Sequence, residues 1–223
     1  GVAVGVVATY VFHFVLFGVL ATRIGLGQLF LDIASSVAGR FAGGPAKVSV
    51  FGSAMFGMLS GSSVANAVTV GSLTIPAMIR LGYPKHFAAA VESTASTGGQ
   101  ITPPIMGAAA FIMAETLGIP YSQLIIVAII PAALHYLAIL WMVHLEAQRL
   151  KLAGMPPEDI PTLGWVLKRS WHLFIPLVAM VTMLLLQYTP FLAALRDYLV
   201  YSLLISEMLP MTLAPGEITS IMA

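Results

Sequence analysis

The 223-residue sequence contains no cysteine, and only 9% of its residues are charged. The first absence excludes a disulfide scaffold and any thiolate metal or redox centre. The second excludes an ordinary water-soluble enzyme, because soluble domains carry about 25% charged residues. An excess of one charge sign is missing too. Lys and Arg number 10 against 9 Asp and Glu, a net +1, so nucleic acid is not an expected partner. What is abundant is apolar: 59% hydrophobic residues and a mean hydropathy of +0.95. That excludes disorder and makes a lipid bilayer the expected solvent.

Charged residues are absent from 1–22, 48–79, 93–114, 116–145 and 170–195. A spanning helix needs about 20 apolar residues, so the expected fold class is all-α, a polytopic integral membrane protein. Gly1 enters an apolar run directly, without the basic start of a signal peptide, and suggests a piece of something longer. Plain spans are expected at 2–21, 122–143 and 171–191, with a charged, Pro-rich loop over 146–169. Residues 194–223, interrupted by Glu207, Pro210 and Pro215, read as a divergent or truncated segment. Over 23–44, Leu26, Leu29, Phe30, Ile33, Val37 and Phe41 recur at helical spacing, with Asp32, Ser35, Ser36 and Arg40 off that stripe. This is an amphipathic arm, lying along an interface or packed on protein as a linker.

Two stretches have the wrong length for plain spans. As a straight helix, 48–79 would measure about 48 Å, against a hydrocarbon core of about 30 Å, yet it is too short for two full crossings. In its middle, Leu59-Ser60-Gly61-Ser62-Ser63-Val64-Ala65-Asn66 clusters helix-stopping and N-capping residues. A re-entrant helical hairpin satisfies both facts. It also keeps Arg23, Arg40, Lys47, Arg80 and Lys85 on one side, where Arg149, Lys151, Lys168 and Arg169 also fall. The 86–117 stretch is interrupted by Ser96-Thr97-Gly98-Gly99-Gln100-Ile101-Thr102-Pro103-Pro104. A broken transmembrane helix is expected, ending near Gly98 and restarting at Pro103 with Thr102 as N-cap.

Half-helix ends expose carbonyls or N–H groups that lack intrahelical partners. Transporters bind cations on the former and anions on the latter. Ser62, Ser63, Asn66, Ser96 and Thr97 add neutral oxygens suited to a weakly held Na⁺. The competing reading of Gly57, Gly61 and their neighbours is close helix packing. Glu92, inside an apolar run, is either a coupling group or an interfacial residue that snorkels to water. The histidines show no metal-ligand spacing, and Ser60 lacks the nucleophile-elbow pattern. No cofactor and no enzymatic activity are expected.

Gly61 to Asn66, Ile75-Pro76-Ala77-Met78, Gly82-Tyr83 and the run from Ser96 to Gly107 resemble the large membrane subunit of tripartite ATP-independent periplasmic (TRAP) transporters. The wording is closest to the fused small-plus-large permeases served by TAXI-type binding proteins. The resemblance covers 1–193 and only the first of two inverted repeats. It implies an elevator-type transporter half in the bacterial inner membrane, multi-pass, importing an organic anion with Na⁺. The implied partners are a TAXI-type periplasmic solute-binding protein, a small membrane subunit or its fused equivalent, the remaining half of the permease, and membrane lipid. Carried onto this sequence, Gly61, Ser62, Ser63 and Asn66 with Thr97, Gly98 and Gly99 would hold Na⁺. Gln100, Thr102 and Pro103 would face the substrate, and the arm would brace the moving part on the fixed part. Two other classes remain open: an integral-membrane enzyme acting on a lipid-linked phosphate, and a non-transporting membrane scaffold.

Overall fold

The computed structural model describes residues 12–23 and 25–186. The first half of the expected 2–21 span, the end of the 171–191 span and all of 194–223 lie outside those residues. Among the described residues the regular structure is helical throughout. The helices are α1 (Phe12–Arg23), α2 (Leu26–Ala38), α3 (Gly44–Ser60), α4 (Ser63–Thr69), α5 (Gly71–Leu81), α6 (Lys85–Gly98), α7 (Ala108–Leu117), α8 (Tyr121–Arg149), α9 (Leu163–Ser170) and α10 (Phe174–Leu185).

The hairpin is α3 followed by α4 and α5. Pro45 sits at the start of α3, where its missing N–H has no intrahelical acceptor to lose. Gly61 ends α3 in the left-handed region, with φ +57° and its N–H on the Gly57 carbonyl at 3.1 Å. Ser62 then caps α4, its hydroxyl accepting from the Ala65 N–H at 3.3 Å. The second arm bends by 53° between α4 and α5. At the bend Ser72 and Thr74 return hydroxyl bonds to the carbonyls of Thr69 and Val70, a pattern that bends helices.

Both ends of the hairpin meet at one base. A side chain on Gly43 would overlap the Tyr83 hydroxyl, and Ala147 at the end of α8 packs at the same point. Tyr83 is buried there, and burial together with the nearby Glu146 charge pushes its hydroxyl up to about 12. Lys47 Nζ donates to His144 Nδ1 at 3.1 Å, tying α3 to α8. The re-entrant reading thus has a geometric basis, and labelling tests it. Single cysteines at the exposed positions Arg40 and Arg80, in a chain with no native cysteine, should react from the same membrane face. Reaction from opposite faces would contradict the hairpin.

Several expected boundaries move. The hairpin runs from Gly44 to Leu81 rather than over 48–79, because Gly43 and Gly82, both at positive φ, are the actual stops. The 122–143 span is the longer helix α8, 29 residues, because its last turns stay apolar on the buried side through Val143 and Ala147. The loop expected over 146–169 begins only after Arg149, contains α9, and docks on the α2–α3 turn. Gly43 N–H donates to the Ala153 carbonyl (3.0 Å) and Met155 N–H to the Gly39 carbonyl (2.8 Å). At 171–191 the described part is a short 3₁₀ turn, Trp171–Leu173, leading into α10.

The amphipathic arm packs lengthwise and antiparallel on α3. Gly27 faces Phe56 and Gly52 faces Leu31, pairs that bring the two helices close. Its buried stripe is Leu26, Phe30, Ala34 and Ala38, while Val37 and Phe41, placed on the stripe by periodicity, are exposed. At the far end Ala34 and Ala38 pack with Val48 of α3 and Met155.

The broken helix restarts later than expected. The sequence places the second half at Pro103 with Thr102 as cap; α7 instead begins at Ala108 behind Gly107. Thr102 is extended, and its hydroxyl is spent on the Gly98 carbonyl at 2.6 Å. Pro103–Pro104 is a cis peptide, and Met106 takes a φ of +58°, outside the right-handed helical region. The excursion from Gly99 to Gly107 is closed by the Gly107 N–H on the Gln100 carbonyl at 2.7 Å. Tyr121 braces it from α8, donating its hydroxyl to the carbonyls of Pro104 and Ile105.

Two apolar cores flank these breaks. One joins the hairpin, α6 and α8 through Ala46, Val50, Met78, Val91, Tyr136 and Val143. The other gathers α1, α2, α7 and α10 around Phe17, Phe30, Leu59, Met106, Phe111 and Leu177. The hairpin tip and the break lie where the two cores meet. On its outer side α8 exposes Ile126, Ile130, Leu134, Leu137 and Trp141. It is long and apolar enough to cross a membrane by itself, and the α4–α5 pair passes the same test as one bent span.

Candidate functional site

The two interruptions touch. A Cβ on Gly61 would overlap the Met106 carbonyl oxygen, so only glycine lets the hairpin tip seat on the break. Gln100 Nε2 donates to Ser63 Oγ at 2.9 Å across the same contact. Below the tip, Gly57 and Gly99 cross backbone to backbone: a Cβ on Gly57 would stand 2.5 Å from the Gly99 Cα.

Asn66 lies against that crossing and is fully buried. Its Nδ2 donates to the Ser53 carbonyl at 2.8 Å, which fixes which end of the amide is which, while Oδ1 has no protein partner. A buried acceptor without a partner costs on the order of 1–3 kcal/mol. An amide oxygen in that position can accept a hydrogen bond or coordinate a cation.

A cleft of about 350 Å³ opens beside the tip, lined by Ser60, Gly61, Ser62, Gln100, Met106 and the first residues of α7. No side chain caps α7, and the first N–H groups of a helix have no intrahelical acceptor. The Gly107 N–H is already taken by Gln100. Ala108 and Ala109 at the start of α7 line the cleft, and the partial positive charge of a helix start favours an anion.

The expected site residues therefore divide. Gly61, Ser62, Ser63, Asn66 and Gly99 gather at the tip and the crossing, and Gln100 joins them from the break, while Gly98, next to Gly99, faces α8. Thr97 is exposed, with its hydroxyl on the Ser93 carbonyl at 2.8 Å, and does not line the cleft. Thr102 is buried beneath, its hydroxyl 3.4 Å from that of Tyr136, and Pro103 is likewise not a lining residue. Gly98 is needed for a different reason: a Cβ there would stand 2.5 Å from the His135 ring of α8.

Glu92 is neither interfacial nor free. It is 1% exposed, and four hydroxyls converge on its carboxylate. Ser49 and Thr74 reach Oε2, each at 2.6 Å, while Ser53 and Ser96 reach Oε1 at 2.8 and 2.9 Å. The donors come from both hairpin arms and from α6 itself, so one carboxyl group fastens three helices. Ser49, Ser53 and Thr74 were not singled out in the sequence. Their signal was there in Ser49 and Ser53, spaced i, i+4 so that both hydroxyls share one face of an apolar helix.

Comparison with known proteins gives this geometry a family. Residues 2–223 match the family described as "Tripartite ATP-independent periplasmic transporter, DctM component", a match that includes the 194–223 segment. The chain is 30% identical to the C4-dicarboxylate TRAP transporter large permease protein DctM of Pseudomonas aeruginosa, over 74% of this chain and 38% of that one. Against the Vibrio cholerae protein of the same name the identity is 30%, covering 68% of this chain and 32% of the relative. It is 37% identical to the isethionate TRAP transporter permease protein DctMQ of Oleidesulfovibrio alaskensis, over 41% of this chain and 14% of that one. The chain thus spans less than two-fifths of the length of these relatives. Those names are of transport proteins and not of enzymes acting on lipid-linked phosphates. With the family match over nearly the whole sequence, the chain belongs to the DctM family of TRAP transporter large permeases, integral membrane proteins of transport.

Proposed function

We propose that this chain is the hairpin-bearing part of the permease in a secondary transporter that imports an organic anion, carboxylate in type, together with Na⁺. Asn66 carries the reading: a fully buried amide whose oxygen is left unpaired at the point where a hairpin tip and a helix break meet. A monovalent cation suits a site of neutral oxygens, since among the described residues no carboxylate lines the adjoining cleft. Gly61, Ser62, Ser63, Asn66, Gly98 and Gly99 supply those oxygens, and Thr97, which keeps its oxygen lone pairs while donating to Ser93, is a further candidate. The anion lies in the adjoining cleft, against the α7 amides and Gln100. Its charge and that of the cation stabilise each other across the tip, and this is the physical basis of coupling. The cargoes in the relatives' names, C4-dicarboxylate and isethionate, are small organic anions and support the substrate class.

The complete transporter then needs the remaining half of the permease, a small membrane subunit or its fused equivalent, and a periplasmic solute-binding protein of the TAXI type. It works in the bacterial inner membrane as a multi-pass protein. The test is uptake by the full-length permease reconstituted in liposomes with its small subunit and binding protein. A sodium gradient should drive accumulation, and Asn66→Ala should raise the sodium concentration needed for half-maximal uptake by about tenfold, the cost of losing one charged-group contact. Equal uptake in sodium and potassium would overturn the reading.

A further inference from the structure

Glu92 has no place in the scheme so far. It does not line the cleft, and its oxygens are occupied by four hydroxyls. Holding a carboxyl group at 1% exposure inside an apolar bundle is expensive. If fastening helices were the whole purpose, apolar packing would achieve it at less cost.

The arrangement around Glu92 Oε1 differs from that around Oε2. Oε2 receives Ser49 and Thr74, which lead back to the base of the hairpin. Oε1 receives Ser53 from α3 and Ser96 from α6. One helical turn beyond Ser53 on α3 is Gly57, and three residues beyond Ser96 is Gly99, the pair whose backbones cross beside Asn66. Ser53 also supplies the carbonyl that accepts the Asn66 amide. The same residue is therefore held by Glu92 through its side chain and holds Asn66 through its backbone.

We propose that Glu92 is a positioning residue for the cation site: through Ser53 it sets the amide of Asn66 with Oδ1 presented to the ion. The proposal rests on the sodium reading given above. The physical reason is specific. Were the Asn66 amide reversed, Oδ1 would face the Ser53 carbonyl oxygen, and two acceptors would repel each other at hydrogen-bond distance. The Ser53 carbonyl can enforce that choice only if α3 stays in register against α4 and α6. The Oε1 bonds to Ser53 and Ser96 lock this register one turn below the site. Gly71, whose Cβ would stand 2.9 Å from Glu92 Cγ, lets the second arm come close enough for Thr74 to complete the lock.

The experiment measures thermal unfolding of the purified 223-residue chain while NaCl replaces KCl at constant ionic strength, and takes the sodium concentration at half-maximal stabilisation. It compares the wild type with Ser53→Ala, Ser49→Ala and Glu92→Gln. The two serine variants each remove one hydroxyl from the same carboxylate, on the same helix, one turn apart, and should lose comparable melting temperature. Ser53→Ala should raise the sodium midpoint by about three- to tenfold, the range of one lost hydrogen bond. Ser49→Ala, which touches only Oε2, should raise it less. Glu92→Gln, with one acceptor oxygen in place of two, should raise it at least as much as Ser53→Ala. Equal midpoints in wild type, Ser53→Ala and Glu92→Gln would overturn the positioning role while leaving the sodium reading intact. A wild type that sodium does not stabilise over potassium would overturn both.

Discussion

Gly61→Ala is expected to destabilise the protein by about 2–5 kcal/mol and to separate the hairpin tip from the break. Two costs add. A non-glycine residue at φ +57° pays about 1–2 kcal/mol. The new Cβ also overlaps the Met106 carbonyl oxygen, and the obstacle is backbone that cannot rotate away as a flexible side chain would, which adds about 1–3 kcal/mol of overpacking. Gly118 separates the two. It too has a positive φ, +65°, yet nothing stands within 4 Å of its Cβ position, so Gly118→Ala pays the backbone cost alone. Thermal unfolding of both variants in detergent should show Gly61→Ala losing clearly more. Equal losses would mean that the tip does not rest on Met106.

Glu92→Ala should cost about 3–5 kcal/mol, in the range of breaking a buried hydrogen-bond network and leaving its donors unpaired. The effect is large because four hydroxyls lose their common acceptor, and two of them, Ser49 and Ser53, are fully buried. It is less than four separate penalties because a helical serine or threonine can turn to the carbonyl one turn back, as Thr74 already does with Val70 at 3.0 Å. Glu115, on α7 and exposed, is the comparison. Its replacement by alanine should change stability by no more than about 0.5 kcal/mol. If the two variants melt alike, Glu92 does not fasten the hairpin.

The parts of this architecture set by length and by special backbone were readable in advance. The 48–79 and 86–117 stretches had to break because neither fits a bilayer as one or two helices. Gly61 marks its break because glycine suits a left-handed turn, whereas Gly98, expected to end its helix in the same way, stays right-handed at φ −57° and is glycine because His135 of α8 leaves no room for a Cβ. Pro103 misled because its fixed φ suits a helix start. The structure uses that proline in an extended detour, and no local rule locates the true start at Ala108, whose cap, Gly107, carries no side chain. The stripe on α2 drifted for a related reason. Periodicity favours the largest apolar residues, whereas the end of α2 buries Ala34 and Ala38 in one cluster with Val48 of α3. Glu92 was conspicuous as an acid in an apolar run, but three of its four partners lie 43, 39 and 18 residues away, beyond the reach of any pattern of spacing. The unpaired oxygen of Asn66 was equally hidden, because it depends on which carbonyl the other end of the amide meets.

The central claim is that the tip and the break, within this chain, make a cation site. Its most direct test is the unfolding temperature of the purified wild-type protein in NaCl against KCl at matched ionic strength, beside Asn66→Ala. Sodium at ten times its dissociation constant should stabilise the folded state by about 1.4 kcal/mol, and Asn66→Ala should abolish most of that gain. Identical melting in the two salts, or a sodium gain that survives in Asn66→Ala, would contradict the site described here.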